Sequence, residues 1–406
     1  MGWIIYVYIK IRFYKKYKFS LKKNFINNFK NIFPILGIDQ DPDEINRMPD
    51  YGTLIDLLTK FNEKKLEKLP TKMVRQLIKS RVLEKHRLLN KYYMIAIDGT
   101  RFLKFNERHC DHCLRKKIKE DKDGNPVYEY YHYVLSAKLV TESGLEFTIM
   151  TEFVENESSD VEKQDCELNA YYRLANRLKN EFKKLNICLL CDSLYPNQKV
   201  FKLCKKNNWE YLIYFKEGAI PTVYQEYKDD IKEHPDNHLT DTVNKWITRE
   251  YHWVNDIEYH DFKLNVLYCK EDNKRKLKKK PHPFVWICSF KINRSKCHVL
   301  ANQGGRLRSK IENQGFNSQK NEGYNLEHAY SKDYNAEKCF YHLLQVAHII
   351  NQLMQHNSEI KQIIKASGSF INYYVELLED FRRDHIDKNS IKEIMNGKFQ
   401  NRLDSS

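Results

Sequence analysis

The sequence predicts an α/β fold: a mixed five-stranded sheet with flanking helices, interrupted by a β-rich insertion. Three observations predict it. Two short apolar runs, 94–97 and 187–191, each end on an aspartate, Asp98 and Asp192. Strand-patterned segments and a long amphipathic helical pattern stand between them. A basic, aromatic, strand-rich stretch over 216–300 then separates this set from a helical segment carrying Glu312.

Size and composition set the bounds. The 406 residues suffice for two or three domains, or for one with a large insertion. Hydrophobic residues make up 41%, charged residues 30%, and the formal net charge is +15. That charge implies a polyanionic partner, most often nucleic acid. The surplus of Lys over Arg, with frequent Asn, Ile and Tyr, also follows from a nucleotide-biased genome. Several of the ten cysteines, Cys188, Cys191, Cys204, Cys288 and Cys339, lie inside predicted strands or helices. They read as reduced thiols of an intracellular protein.

The apolar stretch from Trp3 to Tyr14 is too short to span a membrane, and its positive charges follow it, the wrong order for a signal peptide. Residues 1–38 hold eight Lys or Arg and no acid, and read as a basic arm or as an irregular start.

Residues 39–92 read as a helical, DNA-contacting region. Leu54, Leu57, Leu58 and Phe61 fall at helical spacing. Pro70-Thr71 opens a second helix ringed by Lys72, Arg75, Lys79, Arg81, Lys85 and Arg87, which face either phosphates or solvent. The core's first part spans 93–215. Its first strand, 94–99, is followed by a polar excursion with His109-Cys110-Asp111-His112-Cys113. Cys110 and Cys113 have the spacing to seed a zinc site; a structural zinc takes four ligands, and no second pair with a suitable gap accompanies them.

Two alternating segments, 130–141 and 145–154, joined at Glu142-Ser143-Gly144, read as a hairpin. A helix follows from Ser159 as N-cap, with Glu162 three residues on. Then come a strand at 187–192, a helix at 198–206 and a strand at 211–215. With three antiparallel strands and two entering by helical crossovers, this order is the RNase H-like arrangement. It sets Asp98 beside Asp192, 94 positions later.

Residues 216–300 form the β-rich insertion, with strands at 245–255, 262–271 and 283–289. Its basic run, Lys274, Arg275, Lys276, Lys278, Lys279 and Lys280, is a phosphate-binding loop or a solvated hairpin tip. Trp246, Trp253 and Trp286 read chiefly as packing, with stacking on a displaced base as the alternative. Residues 301–356 hold the core's second part: a helix over 305–320, with Arg308 and Glu312 on one face, then a helix over 323–356. Residues 357–406 read as a charged helical tail.

Three stretches carry a family resemblance: 96–100 around Asp98, 191–195 around Asp192, and 308–316 from Arg308 through Glu312 to Phe316. Segments 163–167 and 325–328 add to it. The chain resembles DDE transposases of the IS4-like superfamily, insertion-sequence enzymes with a β-strand insertion in an RNase H-like core. Of that family's Tyr, Arg, Glu, Lys signature, Arg308 and Glu312 fit; Gly305 stands at the tyrosine position and Lys320 falls one residue late.

The resemblance implies two Mg²⁺ or Mn²⁺ ions held by Asp98, Asp192 and Glu312, with Asp98 bridging, and DNA contacts from Arg308 and Lys320. Hard carboxylate oxygens suit such ions. It also implies double-stranded DNA partners (terminal inverted repeats and target), a homodimer on paired ends, and cytoplasmic action on chromosomal or plasmid DNA. Two rival readings are an RNase H-like nuclease that cuts without joining, and a catalytically inactive DNA-binding relative.

Overall fold

In the computed structural model, which describes residues 27, 28, 31, 51–159, 161, 163–275, 283–384, 387, 389 and 393, the run ahead of Asp98 becomes a strand that continues past it, β1 (Tyr93–Phe105). Residues 93–97 are all buried, as a mid-sheet strand covered on both faces requires. β2 (Leu114–Glu120), β3 (Pro126–Val140) and β4 (Glu146–Val154) follow. The turns joining them use Gly124 and Gly144 at φ of 82° and 96°, where a side chain is strained. After helix α1 (Glu167–Glu181) come β5 (Ile187–Cys191), α2 (Gln198–Asn207) and β6 (Glu210–Tyr214). The chain continues through α3 (Pro221–Glu233), β7 (His238–Asn244), β8 (Ile247–Tyr259), β9 (Phe262–Asn273), β10 (Phe284–Cys288) and α4 (Cys297–Asn302).

The fold is α/β with a mixed sheet of ten strands among the described residues. The order is β2-β3-β1-β5-β6-β10-β9-β8-β7, with β4 also on β3. β5 lies parallel to both β1 and β6; β3 is antiparallel to β1 and to β4. The five expected strands are therefore the middle of a wider sheet. β10 pairs antiparallel with β6, so strands of the 216–300 stretch extend the same sheet. Three elements there were not expected: β7, α3, whose Pro221 sits at the helix's first turn, and α4, which begins inside the stretch.

The helix expected from Ser159 begins at Glu167 instead, and Glu162 lies outside the described residues. Side chains of Asn156 and Gln164 instead bond to the edge of β2. The Asn156 amide donates to the Cys113 carbonyl (2.9 Å), and Gln164 bonds both the N–H and the carbonyl of Arg115 (2.6 and 3.1 Å). These bonds satisfy backbone groups that a helix would leave unpaired.

The chain divides into two units, residues 77–317, which hold the sheet, and residues 1–76 with 318–406. The second unit is helical. Its long helix Tyr334–Gln355 is buried on nearly every side, the mark of a central helix. Asn335 donates to the carbonyls of Leu58, Thr59 and Phe61, closing the end of helix Tyr51–Lys60. The next helix starts at Glu63 and runs through a buried Pro70, rather than opening at Pro70. The tail holds helices Ser358–Ala366 and Phe370–Arg383. Residues 1–26 and 32–50 lie outside the described residues, the basic arm almost wholly among them. No helix among the described residues is long and apolar enough to cross a membrane.

Candidate active site

The ladder between β1 and β5 explains why two distant aspartates meet. Ala96 pairs with Leu190 in parallel register. Two residues on, Asp98, still within β1, and Asp192, just past β5, fall close enough for Asp192 to raise the pKa of Asp98. Asp192 sits in a tight turn, its Oδ1 accepting from the Leu194 N–H (2.8 Å). Asp98 accepts from the Gly99 N–H (3.0 Å) and from Arg308 Nη2 (2.9 Å).

A third carboxylate joins them, Glu167, the first residue of α1, where the helix N-terminus favours an anion. Its two oxygens accept from the hydroxyls of Tyr133 and Tyr195, the latter at 2.6 Å. Tyr133 passes directly over Gly99, and a Cβ at that position would run into its hydroxyl. Burial, reinforced by Glu167 and the aspartates, pushes both tyrosine hydroxyls up, so they remain protonated donors.

Three carboxylates against one guanidinium leave the cluster with excess negative charge. Burial, then Asp192 and Glu167, push the Asp98 carboxyl up; Arg308 and the Gly99 N–H pull it down, and the balance falls at about 6. Asp98 is thus ionised near neutrality at a cost. The donor set consists of hard oxygens and is short of positive charge, which fits a divalent ion such as Mg²⁺. The cluster is open: no trio of these carboxylates has its oxygens all within 4.8 Å of one another among the described residues.

Arg308 belongs to a helical segment made of Arg308–Lys310, a π-helical turn Ile311–Phe316, and Asn317–Asn321. Glu312 lies in the π turn and is exposed, while Arg308 is half-buried against Asp98. The segment rests on the sheet through Gly315: a Cβ there would stand 2.8 Å from Glu146 Oε1 and 2.9 Å from Lys138 Nζ. Those two form a fully buried ion pair at 2.7 Å, with Lys138 Nζ 4.4 Å over the Phe316 ring. Burial pushes the Lys138 ammonium down and the Glu146 carboxyl up, each resisted by the other's charge. Lys138 also feels Asp98.

A second cluster lies further along β1 and β3. The sulfurs of Cys110 and Cys113 are 3.7 Å apart, and His132 Nε2 of β3 is 3.1 and 3.3 Å from them. Bonding to Cys110 holds the Cys113 thiol down to about 3, against burial and with help from His132. A third group, His238, Glu250 and His252, gathers on the half-exposed β7–β8 hairpin.

Of the expected DNA contacts, Arg275 lies over the exposed Trp246 ring at 4.7 Å, joined by Lys245 at 5.3 Å, and the Lys274 N–H bonds the Trp246 carbonyl. Lys276, Lys278, Lys279 and Lys280 lie outside the described residues. Lys320 falls in the helical unit, paired with Glu327 at 3.0 Å. Trp253 and Trp286 are core residues. The spacing arguments did not single out Glu167, Tyr133, Lys138 or His132. Strand alternation was the one signal for His132 and Lys138, and it does not tell a functional side chain from a packed one.

No family model matches this sequence, and no curated protein matches it.

Proposed function

We propose that this chain is a DDE-type DNA transposase. It would cleave DNA at the ends of an insertion sequence and join the freed 3′-hydroxyl to target DNA. The observation that supports this most is the meeting of Asp98, within β1, and Asp192, just past the end of parallel β5, beside Arg308. The reading takes β4-β3-β1-β5-β6 as an RNase H-like core, supported by parallel β1, β5 and β6 with antiparallel β3 and β4.

Asp98, Asp192 and Glu312 would hold two Mg²⁺ or Mn²⁺ ions, which when bound offset charge on the attacking and leaving oxygens of a phosphodiester. The chain's own residues prepare that site. Tyr133 and Tyr195 occupy both Glu167 oxygens, making Glu167 a fixed negative charge that strengthens cation binding at Asp98. Arg308 holds the Asp98 carboxylate in one orientation, and its half-exposed fork can also take a DNA phosphate. Double-stranded DNA as partner accords with the net charge of +15 and with the Arg275–Trp246 tip. Action as a homodimer on paired ends, in the cytoplasm, completes the proposal.

One observation favours a second reading, an inactive DNA-binding relative: Glu312 is exposed while Arg308 engages Asp98. A gel assay on the DNA flanking the coding sequence, with Mg²⁺ or Mn²⁺, separates the two. Wild type is expected to cleave and join, and Asp98→Asn, Asp192→Asn and Glu312→Gln to do neither. Binding without cleavage would favour the inactive relative. Cleavage without joined products would indicate a nuclease, and metal-dependent cleavage by Asp98→Asn would overturn the site.

A further inference from the structure

We propose that Cys110, Cys113 and His132 bind one Zn²⁺ ion in a structural site that ties the start of β2 to β3, with His109 as its fourth ligand. The geometry carries the assignment. A disulfide would set the two sulfurs about 2.05 Å apart. A tetrahedral zinc, with Zn–S near 2.3 Å and Zn–N near 2.0–2.1 Å, sets two sulfurs about 3.8 Å apart and sulfur and nitrogen about 3.6 Å apart. The sulfurs stand at 3.7 Å, matching the zinc value, and the sulfur–nitrogen pairs at 3.1 and 3.3 Å, within about half an ångström of it.

Local chain geometry presents the ligands together. The Cys113 N–H bonds the Cys110 carbonyl (3.3 Å), closing a tight turn that turns both sulfurs to one side. His132 stands in β3 opposite Leu103 of β1, just past a register shift between Arg101 and Leu103, so the β1–β3 ladder supplies the third ligand. Cys113 and His132 are each 1% exposed. Phe102 and Phe105 pack on the His132 ring at 5.8 and 5.4 Å, a wall that shields bound metal from water.

Two further histidines flank the cysteines. His112 Nδ1 is held by the Asn156 carbonyl at 2.9 Å, which directs it to the 155–166 segment. His109 stacks on Phe105 at 4.3 Å with its ring 6.0 Å from that of His132; its nitrogens stand outside the trio whose ligand atoms lie within 4.8 Å of one another, so that metal binding would draw it in as the fourth ligand. Two thiolates and two imidazoles form a closed set of the kind structural zinc takes, and soft thiolates select zinc over Mg²⁺ or Mn²⁺. The site would anchor a hairpin whose outer strand exposes Lys116, Lys117 and Lys119.

The test needs no DNA and is independent of the transposase reading. The full chain is purified without chelators and its metal measured by plasma emission. One zinc per chain is expected, falling below a tenth in Cys110→Ser and His132→Ala, and unchanged in Cys188→Ser. Titration of the stripped wild type with Co²⁺, which needs no variant to fold, should give the intense thiolate-to-cobalt absorption. His109→Ala should speed zinc loss to a chelator at least tenfold; an unchanged rate would overturn that fourth ligand. Absence of zinc together with a silent cobalt titration, or iron or copper in place of zinc, would overturn the site.

Discussion

One ladder, β1 against β3, supports two polar clusters of opposite character. Asp98 pairs in register with Ser136; five residues on, Leu103 pairs with His132. At the first position the chain gathers hard oxygens around a guanidinium, half-open to solvent. At the second it gathers sulfur and imidazole nitrogen behind phenylalanine rings. The ladder is regular at the first position and shifts register between Arg101 and Leu103, just before the second. Crowded carboxylates oppose one another's charge and so act against folding until a cation joins them. Around the Cys113 thiolate, Cys110 and an imidazole supply soft donors, and a metal bound there would add to folding stability.

The sharpest way to break the comparison is to exchange the readouts. Asp98→Asn should lower strand cleavage on the order of 10³-fold, the scale of losing one preorganised electrostatic stabiliser, with the fold kept. Cys113→Ser should instead lower the thermal midpoint while any metal-dependent cleavage stays within about tenfold of wild type, the scale of an outer-shell effect. Gel assays and thermal denaturation run on both variants check it. A Cys113→Ser protein with full stability and no cleavage would place the chemistry at the wrong cluster.

The next largest effect lies beneath the carboxylate site. Lys138 and Glu146 are both fully buried. Lys138→Met alone strands the Glu146 carboxylate and should cost about 3–5 kcal/mol; the double change Lys138→Met with Glu146→Leu should recover most of that. Urea denaturation of the single and double variants reads the difference. Equal losses would mean that packing under Gly315, rather than charge, is what the pair contributes.

What the sequence makes legible follows from this division. Apolar runs ending on Asp98 and Asp192 stand out, because a carboxylate at a buried strand end is costly without a partner. Their adjacency follows from strand order, and the parallel β1–β5 register agrees with it. Glu167 did not stand out, because nothing local marks a helix-start acid as the partner of two distant tyrosines. His132 reads as one more polar residue in a tyrosine-rich strand, and only the fold carries it to Cys110 and Cys113. The π turn at Ile311–Phe316 was equally hidden, since spacing rules assume an α turn throughout. Helix α3 carried a start signal in Pro221, overridden by the strand pattern around it.

The smallest effect tests whether the carboxylate cluster opposes folding. Asp98 has a folded-state value of about 6 against an ordinary 3.8. A raised carboxyl favours the folded state fully below 3.8, and that contribution is lost as pH rises through 6. Asn does not titrate. In EDTA at pH 7.5, Asp98→Asn should therefore be more stable than wild type by roughly 1–3 kcal/mol, the scale of about two pKa units. Near pH 4 the gain should vanish. Adding millimolar Mg²⁺ at pH 7.5 should reverse the order, because the ion binds only folded wild type and raises its stability by mass action. Equal stability of the two proteins at every pH would mean the Arg308 contact already neutralises Asp98. A gain that persists in Mg²⁺ would mean the cluster repels its own charges without gathering an ion.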